Sequence, residues 1–205
     1  MKPFLPGSSR ILLLGSFPPP VTRWSMPFYY PNFQNDMWRV MGIVFFNDPG
    51  FFIKGKTFDK ENITSFCEGK GIALYDTAMR VVRGSGNASD KFLQVLEPVN
   101  LEDILERLSF CNTVAVTGQK AAETLLEVIG GKGVDQKVSI PGMGKYITFP
   151  FRDRTIKWYR MPSTSRAYPM SLEKKASYYR EMFNGEGLLN GYSHSMVAGG
   201  LEEMS

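Results

Sequence analysis

The fold of this chain is decided by the stretch from Arg10 to Trp38, RILLLGSFPPPVTRWSMPFYYPNFQNDMW. Its unbroken apolar run Ile11–Leu14 is typical of a strand that is buried on both faces of a parallel sheet. Gly15 and a run of prolines end this strand, a loop dense in aromatic residues follows, and Asn35-Asp36 opens a helix. Ligands bind beyond the carboxyl ends of the strands in open α/β sheets, so this loop is expected to form the floor of a site.

Three further segments are short apolar runs that end in a polar loop, and helical patterns follow them. They are Gly71–Tyr75, Thr113–Val116 and Ile156–Arg160. Four passages of strand, loop and helix predict a three-layer α/β sandwich with a central four-stranded, largely parallel sheet flanked by helices. Because every loop of interest follows a strand, these loops should gather at one edge of the sheet.

The chain is expected to form one domain over residues 1–183, followed by a flexible tail over residues 184–205. A length of 205 residues suits a single domain with a substantial core. Gly84–Asp90 is typical of a flexible turn, and Val138–Phe151 of an irregular hairpin. Ser171 is the expected cap of a last helix over Leu172–Phe183, after which glycine and serine are frequent and no periodicity remains.

Composition bounds the function without deciding it. The formal net charge of +4 is compatible with a nucleic-acid partner, although many basic proteins have none. No apolar run has the length of a membrane span, and the N-terminus lacks the apolar core of a signal peptide. We therefore expect a cytoplasmic monomer with no membrane partner. Cys67 and Cys111 make neither a disulfide framework nor a metal site, and a reducing cytoplasm is the simplest setting for them.

The sequence contains few of the residue patterns that the common mechanisms of hydrolysis require. The only histidine, His194, falls in the expected tail, which argues against Ser-His-Asp and Cys-His catalysis. The sequence has no histidine pair for zinc, no GxxxxGK[ST] loop and no GxGxxG after a strand. The segment Gly142-x-Gly144-Lys145 lacks the context of a phosphate loop and is interpreted as a turn. A chemistry that needs few strong acids and bases fits this chain better.

Two separated motifs carry information beyond the strand and helix patterns. The first motif consists, in order, of Gly15-Ser16-x-Pro18, Tyr29-Tyr30 and Asn35-x-x-Trp38. It resembles the first motif of the uracil-DNA glycosylase superfamily, and more narrowly the GS-x-P…YY…P-x-N-x-F-W of its hypoxanthine (deoxyinosine) DNA glycosylase branch, with Met37 in place of phenylalanine. The second, MPSTSRA at Met161–Ala167, is close to LPSTSPA, with Arg166 in place of proline. The resemblance covers about residues 10–183, and two cysteines cannot supply the four ligands of the iron–sulfur cluster found in other branches.

The resemblance implies hydrolysis of the N-glycosidic bond of a deaminated base, uracil or hypoxanthine, in DNA. Such an enzyme is monofunctional, leaves an abasic site, needs no cofactor and has damaged or mismatched DNA as its partner. By resemblance, Asn35 positions the attacking water; the alternative is that Asn35 merely caps a helix. Asp76 is the strongest acid candidate by position, as a polar rim residue or a supporting partner, and a purely structural role is equally open.

The remaining site residues are expected to hold the base and the DNA. Gly15, Ser16, Phe17 and Pro18 are expected to line the base site, where backbone N–H groups around Ser16 and Phe17 are candidates to bind an acceptor on the base. Tyr29 and Tyr30 are candidate stacking platforms, with one of the two expected to touch substrate. Thr117 stands where the superfamily often has an asparagine that reads the base edge. The expected DNA contacts are Ser163, Thr164, Ser165, Arg166, Ala167 and Tyr168, unless Ser163 or Ser165 only caps a helix.

Two other classes of protein stay open from the sequence. One is a relative of the same fold that binds nucleic acid or a nucleotide without catalysis. The other is an N-glycosidase that acts on free nucleosides, which would show little dependence on salt. Lys120, at the start of the third helix, is a candidate for a Schiff base that would also cut the strand, but a surface lysine is the simpler interpretation.

Overall fold

The computed structural model describes residues 1–84, 93–130 and 138–189. Its strands are β1 (Ile11–Gly15), β2 (Ile53–Lys54), β3 (Thr57–Phe58), β4 (Ile72–Asp76), β5 (Ala78–Arg83), β6 (Leu93–Pro98), β7 (Thr113–Thr117), β8 (Tyr146–Phe151) and β9 (Arg154–Met161). Its helices are α1 (Met37–Phe46), α2 (Lys60–Lys70), α3 (Leu101–Arg107), α4 (Gln119–Gly130) and α5 (Leu172–Gly185), with a short 3-10 turn at Val21–Arg23. The expected turn beyond Gly84, the tail beyond residue 189 and His194 within it lie outside the described residues.

The central sheet has five strands in the order β4-β1-β7-β9-β8. Strands β1, β4, β7 and β9 are parallel and correspond to the four predicted strands, whereas β8 pairs antiparallel with β9 at the edge. The α/β class and the largely parallel sheet are thus confirmed, and the predicted number of four strands is wrong by one. The segment interpreted as an irregular hairpin supplies the extra strand, because its partner is the strand that follows it directly.

Alternation along the buried strands builds the three layers. In β1, Ile11 and Leu13 pack into one core cluster with α1, α2 and α5, while Leu12 and Leu14 pack into a second cluster with α3 and α4. All four side chains are fully buried. A strand that is apolar at every position can therefore only lie between two helical layers, as its sequence predicted.

A hairpin of β5 and β6 leaves the sheet one residue after β4 ends. Most of its side chains are exposed on both faces, and the hairpin was not predicted from the sequence. Because β4 ends at Asp76, the hairpin begins beside the edge of the sheet where the predicted loops gather. None of the helices in the described part of the chain is long and apolar enough to cross a membrane.

Glu186 fastens the end of α5 to the sheet. Its carboxylate accepts hydrogen bonds from Thr113 Oγ1 at 2.8 Å, from Lys157 Nζ at 2.9 Å and from the Tyr159 hydroxyl at 2.9 Å. Burial by itself raises the pKa of Glu186, but these hydrogen bonds and the charge of Lys157 lower it below its ordinary value. The helix thus continues two residues beyond the predicted Phe183, to Gly185; the division into domain and tail stays a prediction.

The depressed pKa of Glu186 predicts a pH-dependent contribution to stability. The contribution is present above the unfolded pKa of a glutamate, about 4.3, and is lost as the pH falls through the lower folded pKa. We expect Glu186→Gln to cost about 1 kcal/mol at neutral pH and progressively less below about pH 4. Thermal unfolding between pH 7 and pH 3 measures this difference, with Glu181→Gln, exposed on the same helix, as the control. A difference that does not vary with pH would contradict the prediction.

Candidate functional site

A cleft of about 550 Å³ opens at the carboxyl ends of β1, β4, β7 and β9. The residues predicted from the sequence to form the site line it. They are Gly15, Ser16, Phe17, Pro18, Tyr29, Tyr30, Asn35, Asp76, Thr117, Ser163, Thr164, Ser165, Arg166 and Tyr168. The structure therefore brings the predicted set together, while the role of each residue stays a prediction.

The floor of the cleft is a polar group around Gly15. Gly15 is paired in register with Asp76 at the ends of β1 and β4. A Cβ on Gly15 would lie 2.6 Å from Asp76 Oδ1, so the carboxylate packs directly over the backbone there. The hydroxyls of Tyr30 and Thr117 are 3.3 Å apart beside it. A carboxylate and two hydroxyls from three segments thus face the same volume.

The two adjacent tyrosines have different positions. Tyr29 is 2% exposed, its ring packs edge-on against Phe28, and its hydroxyl donates to the carbonyl of Lys2. Tyr30 is half-buried and adopts a left-handed backbone with φ of 51°, which is uncommon outside glycine. Burial and the Asp76 charge raise the pKa of Tyr30, against the effect of the Thr117 hydrogen bond, so its phenol is neutral at physiological pH. Both predicted platforms line the cleft, and Tyr30 is the more exposed of the two.

Asn35 takes part in the turn that starts α1. Its Oδ1 accepts a hydrogen bond from the backbone N–H of Met37 at 2.9 Å, while Asp36 occupies the N-cap position. Asp36, from the Asn35-Asp36 pair predicted to open this helix, is thus the residue directly before its first turn, which begins at Met37. Asn35 is not the cap itself, and its side chain closes the turn that precedes the helix. An amide oxygen has two lone pairs, so this bond fixes the side chain and leaves one acceptor site for a water.

The second motif forms tight turns along one wall of the cleft. Ser163 Oγ accepts from the N–H of Ser165 at 3.2 Å, and Ser165 Oγ accepts from the N–H of Ala167 at 3.3 Å. These serines therefore shape consecutive turns, and the helix that follows is capped by Ser171, as predicted. Thr164 is buried, and its carbonyl accepts from the Asp36 N–H at 2.8 Å. The two motifs are thus joined by a direct backbone hydrogen bond.

Behind this wall lies a charge cluster that the sequence analysis did not find. Lys175 Nζ is 2.8 Å from Asp36 Oδ2 and also donates to the Ser165 carbonyl at 2.8 Å. The side chains of Lys175 and Asp36 are 1% and 9% exposed. Arg166, which is 56% exposed, lies 3.6 Å from Asp36 Oδ1. A signal did exist, because Lys175 shares the helical face of the buried residues Ala176, Tyr179 and Met182.

Arg83 is a second residue that the sequence analysis missed. It comes from β5, lines the cleft, donates to the Pro18 carbonyl at 2.9 Å and lies over the Phe17 ring at 6.0 Å. It therefore holds the proline-rich loop from the hairpin side. Nothing in its sequence context marks it, because the hairpin that carries it was not predicted.

Other chemistries find little support within the described residues. Both cysteines are buried, and burial raises the pKa of Cys111 to about 11 and that of Cys67 further, so neither thiol is activated. In the described ranges, no group of three His, Cys, Asp or Glu side chains is placed to hold a metal ion. Lys120, in the first turn of α4, is not among the residues that line the cleft.

Comparison with known proteins places the fold. No protein-family model matches the chain, and no curated protein sequence does. Among solved structures, it is similar to the solution structure of a Methanosarcina acetivorans protein proposed to be a uracil DNA glycosylase. The TM-score is 0.59 at 19% sequence identity, over 90% of this chain and 97% of that one. The chain thus has the architecture of that protein, a largely parallel sheet between two helical layers.

Proposed function

We propose that this chain is a monofunctional DNA glycosylase of the uracil-DNA glycosylase superfamily. In this proposal it hydrolyses the N-glycosidic bond of uracil or hypoxanthine in DNA, without a cofactor, and leaves an abasic site. The observation that carries the proposal is the cleft, because two motifs far apart in the sequence meet there with Asp76 and Thr117. The shared architecture supports the same assignment, and the residues of the two motifs and their order favour the hypoxanthine branch.

The chemistry asks for little acid–base strength, which suits these residues. As the bond breaks, the sugar gains positive charge and the departing base gains negative charge. Asn35 would hold the water through its second lone pair, and the Asp76 carboxylate would stabilise the positive sugar. Backbone amides around Ser16 and Phe17 would meet the charge on the base. A nucleotide must first leave the duplex stack, and the cleft is open to receive it.

Recognition of the base would fall to Tyr30 and Thr117. Both hydroxyls can donate and accept, so the pair can adapt to the carbonyl of uracil or of hypoxanthine. The turns at Ser163 and Ser165 would approach the phosphates, with Arg166 and Tyr168 beside them. Phosphate contacts of this kind make affinity fall steeply with salt, which separates the proposal from a nucleosidase.

The test of this proposal is a cleavage assay with wild-type protein. Labelled oligonucleotides would carry uracil, hypoxanthine, xanthine or a mismatched thymine, each in single and double strands, and alkali would reveal abasic sites. We expect cleavage after alkali on uracil or hypoxanthine and no strand cutting before alkali, as a monofunctional enzyme requires. Folded protein that cleaves none of these substrates, or that releases bases only from free nucleosides, would overturn the proposal.

One observation favours a second candidate, a DNA-binding relative without turnover. The side-chain Oδ1 of Asn35 already accepts a hydrogen bond from the Met37 N–H, as in an ordinary helix start. Such a protein would bind the same oligonucleotides with salt-dependent affinity and leave every base in place. The cleavage assay therefore separates the two candidates when it is run beside a binding measurement.

Gly15→Ala is expected to impair turnover through Asp76. The added methyl would meet Asp76 Oδ1 at 2.6 Å, and the short carboxylate would have to turn away from the cleft floor. We expect turnover to fall by roughly tenfold to a hundredfold, and stability by about 1–2 kcal/mol. Steady-state kinetics and thermal unfolding measure the two effects.

Gly69→Ala is the matched control, because nothing lies within 4 Å of its added Cβ. It should stabilise α2 by about 0.5–1 kcal/mol. Unchanged turnover in Gly15→Ala would remove Asp76 from the reaction.

A further inference from the structure

The buried lysine of α5 has no part in the reaction as proposed so far. Lys175 Nζ is enclosed, with the Asp36 carboxylate and the Ser165 carbonyl as its acceptors at 2.8 Å each. A buried ion pair contributes little net stability, because desolvation of both charges offsets their attraction. The question is therefore what the pair does for the cleft, where Asp36 follows Asn35 and Ser165 belongs to the opposite wall.

Three charges share this corner of the cleft, and their arrangement is unequal. Asp36 has Lys175 at 2.8 Å and Arg166 at 3.6 Å, so two cations meet one carboxylate. Lys175 is the closer and the buried partner, while Arg166 is largely exposed. A further cation, Arg39, interacts electrostatically with Arg166 and Asp36, and its guanidinium donates to the carbonyls of Phe33 and Asn35. Asp36, Lys175 and Arg166 by themselves carry one excess positive charge, and it is placed on Arg166, the side chain that faces solvent.

We propose that Lys175 is a positioning residue for DNA binding, which acts by neutralising Asp36 so that Arg166 is free to move to a phosphate. This inference rests on the proposed function, since it needs DNA in the cleft. With Lys175 in place, Arg166 gives up only its loose contact with Asp36 when it binds a phosphate. Without Lys175, Arg166 is the remaining cation at salt-bridge distance from Asp36 among the described residues, and the carboxylate also repels the phosphate. The excess positive charge of the wall disappears even though Arg166 is still present.

The inference predicts a specific pattern of salt dependence. Affinity would be measured by fluorescence anisotropy on a duplex with a non-cleavable abasic analogue, over a series of salt concentrations. Arg166→Gln should weaken binding about tenfold and reduce the slope of log affinity against log salt by about one. Lys175→Gln should produce the same two changes although it leaves Arg166 intact. The double variant Asp36→Asn/Lys175→Gln should recover wild-type affinity and slope, because no carboxylate is left to retain Arg166.

Lys174→Gln is the matched control for the lost charge. Lys174 is the neighbouring residue on α5, is exposed and donates no hydrogen bond to Asp36, so its loss removes the same formal charge without releasing the carboxylate. Its slope should stay at the wild-type value. Circular dichroism reports folding of each variant, and if Lys175→Gln alone is unfolded, the double variant carries the test.

The outcomes separate this inference from the proposed function. Wild-type slope in Lys175→Gln would overturn the inference alone, and so would a double variant that binds as weakly as Arg166→Gln. The second result would mean that Lys175 only supports the structure. Wild-type protein that does not bind the duplex would overturn the proposed function, and the inference with it. Loss in Lys175→Gln with recovery in the double variant would establish the role of Lys175.

Discussion

The variant Asn35→Ala is expected to lose turnover on its best substrate by on the order of a hundredfold or more, while its affinity for the same DNA changes little. A water held for attack contributes in the transition state, where the new bond to the sugar forms. Removing its acceptor should therefore lower kcat and leave the contacts that hold the DNA in place. Single-turnover kinetics beside a binding measurement would show this division.

The local structure of Asn35 supplies the reason and also the complication. Its Oδ1 is fixed by the Met37 N–H at 2.9 Å, so the side chain is ordered before any substrate arrives. The same hydrogen bond means that alanine also removes a helix-start contact, with a cost of about 1 kcal/mol in stability. The loss of turnover must therefore be read against the change in stability.

Asn32→Ala is the control that makes this separation possible. Asn32 belongs to the same loop, lines the same cleft, and accepts a hydrogen bond from the N–H of Gln34 at 2.9 Å. The Asn32→Ala variant thus loses an equivalent hydrogen bond, from a side-chain oxygen to the N–H of the residue two positions later. We expect its turnover to stay within about threefold of the wild type. Equal losses in both variants would show that the loop conformation matters rather than the Asn35 amide. Unchanged turnover in Asn35→Ala would move the water-positioning role elsewhere, with Asp76 the next candidate.

The sheet could be predicted where a strand is buried on both faces. Ile11–Leu14 is wholly apolar and Thr113–Val116 is apolar apart from Thr113, and only a strand between two layers buries every side chain. Strand β8 lacks such a pattern, because an edge strand pairs on one side and alternates buried with exposed positions. The β5–β6 hairpin is exposed on both faces, so its pairing left no hydrophobic signature in the sequence.

The site could be predicted to a similar depth. Loops after parallel strands meet at one edge by topology alone, and this rule brought together segments as distant as Gly15 and Ser163. The rule does not say which side chain of a pair turns inward. Tyr29 and Tyr30 are adjacent and alike, yet Tyr29 fills the core beside Phe28 while Tyr30 reaches Thr117. That difference arises from the left-handed backbone at Tyr30. A left-handed conformation cannot be predicted from the sequence when the residue is not a glycine.

The ion pair between Asp36 and Lys175 could not be predicted from the sequence, for another reason. The two residues are 139 positions apart, and each has an ordinary local interpretation, as a helix cap and as a helical lysine. The pair becomes visible only when α5 is placed behind the wall of the cleft. Because the pair is buried, the loss of one partner is expected to have a large effect on the free energy of unfolding.

Asp36→Ala is expected to destabilise the fold by about 3–5 kcal/mol, because it leaves the Lys175 ammonium buried without its carboxylate. The Ser165 carbonyl would remain as an acceptor, but it carries no compensating charge. Chemical denaturation with urea gives this difference directly. Asp103→Ala is the matched control, since its pair with Arg107 at 3.9 Å has both side chains more than half exposed. An exposed pair within one helix is worth about 0.3–0.5 kcal/mol, so the control should hardly change.

The size of the Asp36 effect also decides how the two motifs are held together. If the ion pair fixes the wall, Asp36→Asn should cost less than alanine, because the amide oxygen still accepts from Lys175 although the charge is gone. If the backbone bond from the Asp36 N–H to Thr164 holds the wall instead, both variants would keep near wild-type stability, since neither removes that bond. A cost below about 1 kcal/mol in Asp36→Ala would therefore refute the buried-charge argument and favour the backbone connection.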